Sequence, residues 1–141
     1  MKKLMIVCST SFYDKIPSIL DQLKDNYEII YPNGYGEEDD YNENMTDAEY
    51  TEFFSRMFHM SKDKINNTDI VLVLNFNKIK NEKTYNNYIG ASTFLEMYEA
   101  FMNNKKIYLY NGLPDKDHML YEEIKGFAPI IINQDLTKIE K

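Results

Sequence analysis

The sequence contains no tryptophan, one cysteine, one arginine, two histidines and five glycines. Each shortage excludes something. A single cysteine, Cys8, cannot build an intrachain disulfide framework, so a reducing cytoplasm is the expected compartment. Cys8, His59 and His118 are far apart in sequence and have no metal-ligand spacing, so no metal is expected. Arg56 is the only arginine, and the net charge is −7. Phosphate backbones are held by clusters of lysine and arginine, so a nucleic-acid polymer is not an expected partner. No apolar run approaches the roughly 20 residues that a membrane span needs, and no membrane partner is expected. The first apolar run, Leu4 to Cys8, is too short for a signal peptide, and no small-residue cleavage site follows it. There is no internal repeat.

What is present describes one domain. The 141 residues are 43% hydrophobic and 28% charged, which fits a soluble globular chain with a sizeable core, residues 1–141. Leu4 to Cys8 is a continuous apolar run, as in a strand buried on both faces. After the polar turn Ser9-Thr10-Ser11, Tyr13 to Lys24 reads as a helix with Ile16, Ile19, Leu20 and Leu23 on one face. Pro17 restricts its start to about Lys15 or Ile16. Tyr27 to Tyr31 reads as a second strand, ended by Pro32-Asn33-Gly34. Thr46-Asp47-Ala48-Glu49 matches a capping box and opens a helix to about Asn66. Asp69 to Asn75 is the best strand pattern in the chain. Phe76 to Asn87 reads as a polar loop. A helix follows from Gly90 to Met102, then a strand, Ile107 to Tyr110. Asp115 to Lys125 reads as a helix capped by Asp115 or Asp117 and ended by Gly126. Pro129 to Asn133 is a short last strand, and Leu136 to Lys141 a terminal turn or tail.

This βαβαβαβαβ order implies an α/β protein: a flavodoxin-like, doubly wound five-stranded parallel sheet, order 2-1-3-4-5, with helices on both faces. Ligands on such sheets lie outside the carboxyl ends of the strands, between the first and the third. That edge holds Ser9 to Tyr13, Asn75 and the start of the helix at Gly90.

On that last helix, Ala91, Phe94, Leu95, Tyr98, Phe101 and Met102 form a broad apolar stripe expected to cover the sheet. Glu96 and Glu99 then fall on the other side, facing water. A second face, with Thr93, Glu96 and Ala100, is small enough to line a cleft. The loop from Tyr35 to Met45 carries four consecutive acids and no apolar period. It reads either as a solvated surface loop or as a mobile lid with Tyr35 or Tyr41 over a ligand.

The pattern Gly90-x-x-Thr93-x-x-Glu96-x-x-x-Ala100, followed by Lys105-Lys106-Ile107 opening a strand, resembles the nucleoside 2-deoxyribosyltransferase family. The likeness spans roughly Lys3 to Ile132, and its specific part is this helix with its flanks. It implies a catalytic glutamate, by position Glu96 and not Glu99, that attacks the anomeric carbon of a deoxyribose. A carboxylate suits this chemistry, because cleaving an N-glycosidic bond builds positive charge on the sugar. A second group must protonate or hydrogen-bond to the departing base. The resemblance also implies a nucleoside or nucleotide as the small-molecule partner and a homodimer or larger homo-oligomer. Related deoxynucleoside 5′-monophosphate N-glycosidases share the fold and the glutamate.

The chain departs from that pattern twice. Ser61, flanked by His59 and Asp63, stands where the family usually has a carboxylate. Gly90 stands where an acid is often found. The candidate substrate-binding residues are Ser9, Thr10, Phe12, Ser61, Asp63, Asn75, Gly90 and Thr93. The hydroxyls and amides of Ser9-Thr10-Ser11 read either as a phosphate cradle or as a simple helix cap. The same segment matches a flavin phosphate loop only loosely, and with no tryptophan to stack, no flavin or other cofactor is expected. Transfer to a second base, hydrolysis, a non-catalytic nucleotide sensor and a plain interaction module all remain open at this level.

Overall fold

A computed structural model describes residues 1–37 and 41–141. Its centre is a sheet of five parallel strands. These are β1 (Lys3–Val7), β2 (Glu28–Ile30), β3 (Ile70–Val73), β6 (Lys106–Leu109) and β7 (Ile130–Ile131), in the order β2-β1-β3-β6-β7. β3 pairs with β1 on one side, Met5 opposite Val71, and with β6 on the other, Val71 opposite Ile107. The four residues of β3 are buried without exception.

Burial on both faces explains why Leu4 to Val7 of β1 and all of β3 are unbroken apolar runs. Successive residues point to opposite sides, so each strand feeds two cores. One core gathers Leu4, Ile6, Ile70 and Leu72 with Ile16, Ile19 and Leu23 of α1 (Ile16–Leu23) and with Leu136 and Ile139 near the C-terminus. The other gathers Met5, Val7, Val71 and Val73 with Ile65 of α2 (Asp47–Asn66), Met97 and Ala100 of α3 (Ala91–Met102), and Ile124 of α4 (Tyr121–Gly126).

Local signals explain several boundaries. Pro17 sits in the first turn of α1, after a 3-10 turn over Thr10–Lys15. The α2 capping box is complete: Thr46 accepts from the Glu49 amide and Glu49 from the Thr46 amide, both at 3.2 Å. Asp69, at the amino end of β3, accepts from the Lys3 amide at 2.8 Å and ties β3 to β1. The tail is held to the same end of the sheet. Tyr27 donates its hydroxyl to the carbonyls of Ile139 and Glu140, and Glu140 pairs with Lys2 and Lys106. Those two lysines hold the Glu140 carboxyl below its ordinary range.

Three expectations need correction. The Phe76 to Asn87 segment contains an antiparallel hairpin, β4 (Lys78–Lys80) with β5 (Lys83–Tyr85). Its two-residue turn is Asn81-Glu82, both left-handed at φ 52° and 63°. That is the pair of conformations such hairpins need, but without the glycine that normally announces it. The helix expected over 115–125 is only α4, because Asp115 accepts from the amide and side chain of Asn86, both at 3.1 Å, instead of capping. α4 ends at Gly126 as expected, and Ala128, two residues on, is left-handed. On α3, the buried positions are Thr93, Met97 and Ala100, while Leu95, Tyr98, Phe101 and Met102 are exposed. Small side chains at i and i+7 let the helix approach the sheet closely. The aromatic residues Phe94, Tyr98 and Phe101 gather around Phe127 instead.

The loop expectation falls partly on residues 38–40, which lie outside the described residues. Its flanks are largely exposed but carry two anchored aromatic rings. Tyr35 stacks on Tyr31 with ring centroids 5.5 Å apart and meets Tyr13 edge-on. Tyr41 packs against Tyr50, Phe53 and Phe54.

Replacing Glu82 with glycine relieves a left-handed non-glycine residue at the hairpin turn. We expect a gain of roughly 0.5–1 kcal/mol in hairpin stability. It is read as slower hydrogen exchange at the Lys80 and Lys83 amides, and unchanged or faster exchange there contradicts this account of the turn.

Candidate functional site

A cavity of about 830 Å³ opens at the carboxyl end of β1. Its floor is Cys8, Ser9 and Thr10, the residues that follow β1. One wall comes from α2, with Phe53, Met57, His59 and Ser61. The opposite wall is the start of α3, with Gly90, Thr93, Glu96 and Glu99. Asn33, just past the carboxyl end of β2, completes the ring, and Tyr41, Tyr88 and Tyr98 contribute aromatic faces.

Glu96 is the chemically distinctive group here. It is half-buried: the cavity is its open side and dense protein surrounds the rest. Desolvation pushes its carboxyl up to about 7 from an ordinary value of 4.5. The Ser61 hydroxyl, within hydrogen-bonding reach, and the positive charge of Lys64 both oppose that rise. The Cys8 thiol is pushed up to about 12, first by burial and then by the negative charge of Glu96.

The surroundings of Glu96 are ordered by short contacts. Asn33 donates from Nδ2 to the Met57 carbonyl at 3.1 Å and to Ser61 Oγ at 2.9 Å. The carbonyl of Asn33 accepts from the Tyr13 hydroxyl at 2.6 Å. Lys64 donates to the Tyr31 carbonyl at 2.9 Å. Burial lowers the pKa of Lys64, against the opposing charges of Glu37 and Glu96. The start of α3 is fixed from the other side. His118 faces the Ile89 carbonyl with Nε2 at 3.0 Å, and its Nδ1 accepts from the Leu120 amide at 3.0 Å. A carbonyl can only accept, so the proton of the neutral ring is on Nε2. By the same argument His59, whose Nδ1 lies 2.8 Å from the Ser55 carbonyl, carries its proton on Nδ1.

Six of the nine sequence candidates line this cavity: Ser9, Thr10, Ser61, Gly90, Thr93 and Glu96. Ser9 also caps the 3-10 turn, accepting from the Ser11 amide at 3.3 Å. Gly90 leaves room for an aromatic wall, since a Cβ there would meet the Tyr88 ring at 3.3 Å. The other three lie elsewhere. Phe12 is buried in the core, edge-on to Phe76 and Tyr88. Asp63 is exposed on α2. Asn75 is buried and is an architectural tie at the ends of β3 and β6. It donates to the Gly112 carbonyl and accepts from the Asn111 amide, both at 2.8 Å.

The expectation for Glu99 is also revised. It was read as facing water, yet it shares the cavity wall, where its carboxylate accepts from Asn103 at 3.2 Å. Of the two lid tyrosines, Tyr41 reaches the cavity, whereas Tyr35 packs outside it on Tyr13 and Tyr31. Sequence reading missed Asn33 and Lys64. Asn33 was read only as part of a strand-ending turn, although the carboxyl end of a parallel strand is a place to look for ligand contacts. Lys64 is one helical turn from Ser61, a spacing that puts both on one face.

No protein-family model, curated protein or solved structure matches this chain. Among the described residues, no cluster of histidine, cysteine, aspartate or glutamate is placed to hold a metal ion, and no helix is long and apolar enough to cross a membrane.

The raised Glu96 pKa makes stability depend on pH. In the folded chain the protonated form is favoured, so its contribution is fully present below about 4.5 and is lost as pH rises through about 7. Glu96→Gln removes this dependence. We expect the variant to be more stable than the parent by about 2 kcal/mol at pH 8, a figure reduced for the open side of the carboxylate. The difference should fade towards pH 4.5 in urea unfolding. Equal stability at pH 8 contradicts the desolvation of Glu96.

Proposed function

We propose that this chain is a nucleoside 2-deoxyribosyltransferase-like enzyme on a flavodoxin-like, doubly wound sheet with helices on both faces. The observation that carries the reading is one partly desolvated carboxylate, Glu96, in a roomy cavity at the carboxyl edge of a parallel sheet. In this reading the Glu96 carboxylate attacks the anomeric carbon of a (deoxy)nucleoside. The N-glycosidic bond breaks, its electron pair leaves with the base, and the base takes a proton. A second base then attacks the same carbon through a ring nitrogen, its proton passes to solvent, and the Glu96–sugar bond breaks with its electron pair returning to the carboxylate. A missing 2′-hydroxyl favours close approach of carboxylate and sugar. The aromatic wall of Tyr41, Phe54 and Tyr98 suits a flat heterocycle. Water in place of the second base turns the same intermediate into a hydrolytic one, as in a deoxynucleoside 5′-monophosphate N-glycosidase. A homodimer or larger assembly and a cytoplasmic setting belong to the same proposal, the former supported by the exposed Leu95, Tyr98 and Met102.

The nucleophile must be ionised, and burial holds its pKa near 7. The expected acid limb of kcat/KM therefore lies near neutrality rather than near 4.5. The test is incubation with deoxynucleosides or their 5′-monophosphates, with and without a second free base, followed by product analysis. A new nucleoside marks transfer and free sugar marks hydrolysis. Glu96→Gln and Glu96→Ala should lower the rate by at least about a thousandfold while the chain stays folded. Glu99→Gln should change it little. Tight binding of a nucleotide without any product, or full activity in Glu96→Ala, overturns the enzymatic reading.

A further inference from the structure

We propose that a stripe of α2, Ser61 with Lys64, set by Asn33, is a positioning device for the Glu96 carboxylate on the cavity wall. The catalytic meaning of this device rests on the function proposed above; the device itself is tested without it.

The stripe is a helical one. Met57, Ser61 and Lys64 stand at i, i+4 and i+7, on one face of α2. Asn33 reads that face. Its Nδ2 donates one hydrogen to the Met57 carbonyl and the other to Ser61 Oγ. The Met57 carbonyl accepts only, so the amide cannot be turned over without setting two oxygens against each other. The cost of this orientation is visible, since Asn33 Oδ1 is buried without a hydrogen-bond partner. Ser61 Oγ, already accepting from Asn33, has its own proton left to donate, and Glu96 is the carboxylate within reach. An amide thus fixes a hydroxyl on the cavity wall that Glu96 shares.

Lys64 adds charge to direction. Its ammonium donates to the Tyr31 carbonyl at 2.9 Å, which fixes its direction along this face. Two segments that leave the sheet, Tyr31 to Asn33 after β2 and α3 after β3, are thereby joined through one face of α2. The other titratable groups in this setting are Cys8, His59, Lys62 and Glu99 on the cavity and Glu37 beside Lys64. Cys8 is held neutral by burial, and Glu99 is engaged with Asn103. His59 and Lys62 are exposed on the outer part of α2. Ser61 and Lys64 are the groups that oppose the effect of burial on Glu96.

The experiment is a direct titration of Glu96 in protein labelled with ¹³C-glutamate. The carboxyl resonance is assigned by its loss in E96Q, and the fold of each variant is checked by its amide spectrum. We expect S61A and K64M each to raise the midpoint by roughly half to one pH unit, and S61T and K64R to restore most of it. Where K64M fails to fold, K64Q carries the same test. If the parent transfers or hydrolyses deoxynucleosides, the acid limb of kcat/KM should move in parallel with the midpoint. A Glu96 midpoint unmoved in folded S61A and K64M overturns the inference, whatever the activity. Shifts as expected in a protein that turns over no nucleoside uphold the inference and remove the function proposed above.

Discussion

The molecule depends on one constraint: β3 must have a parallel neighbour on each side. β1 and β6 supply those neighbours, and the four β3 residues are fully enclosed. Parallel neighbours cannot be joined by a tight turn, so the chain has to cross over the sheet between them. Crossing segments cover the sheet, which is why Leu4 to Val7 of β1 and all of β3 are apolar. They also bring every strand's carboxyl end to one edge. At that edge the chain leaving β1 turns into a segment of one core, while the chain leaving β3 returns as α3 in the other. The cavity is the gap this divergence leaves, with Cys8 to Thr10 on one side and Gly90 to Glu96 on the other. The α2 face then closes it.

Much of this was legible. Continuous apolar runs marked β1 and β3, the capping box marked the first turn of α2, and Pro17 marked the start of α1. The five parallel strands followed from the alternation of segment types. The illegible parts have tertiary causes. The Asn81-Glu82 turn uses two left-handed residues with side chains, so no glycine gave it away. Asp115 could have capped a helix, but Asn86, distant in sequence, takes both its oxygens. On α3 the sheet took not the expected apolar stripe but the neighbouring face, where Thr93 and Ala100 lie with Met97.

The candidate site divides along the same line. Residues tied to the carboxyl edge by chain position alone, Ser9, Thr10, Gly90 and Thr93, lie where the topology implied, and Ser61 and Glu96 meet across the α2–α3 groove. Asn75 stands at the same edge, but two backbone partners on the β6 side claim its side chain. Phe12 turns inward because the 3-10 turn it occupies packs on the core. Asn33 could not be found by periodicity. Its role depends on a carbonyl of α2, a group that every residue possesses and that no pattern can single out.

The setting of Cys8 has a practical corollary. The chain has no other cysteine, and this one is buried with its thiol pushed up to about 12. Thiolate is the reactive form, and almost none exists at neutral pH. The natural chain is therefore close to a cysteine-free background for chemical labelling. A cysteine introduced at an exposed position such as Ser92, beside the cavity mouth, or Asn44, near the start of α2, can be tagged selectively without first removing Cys8. Paired probes at those two sites would report directly on how far the 41–45 segment moves relative to α3.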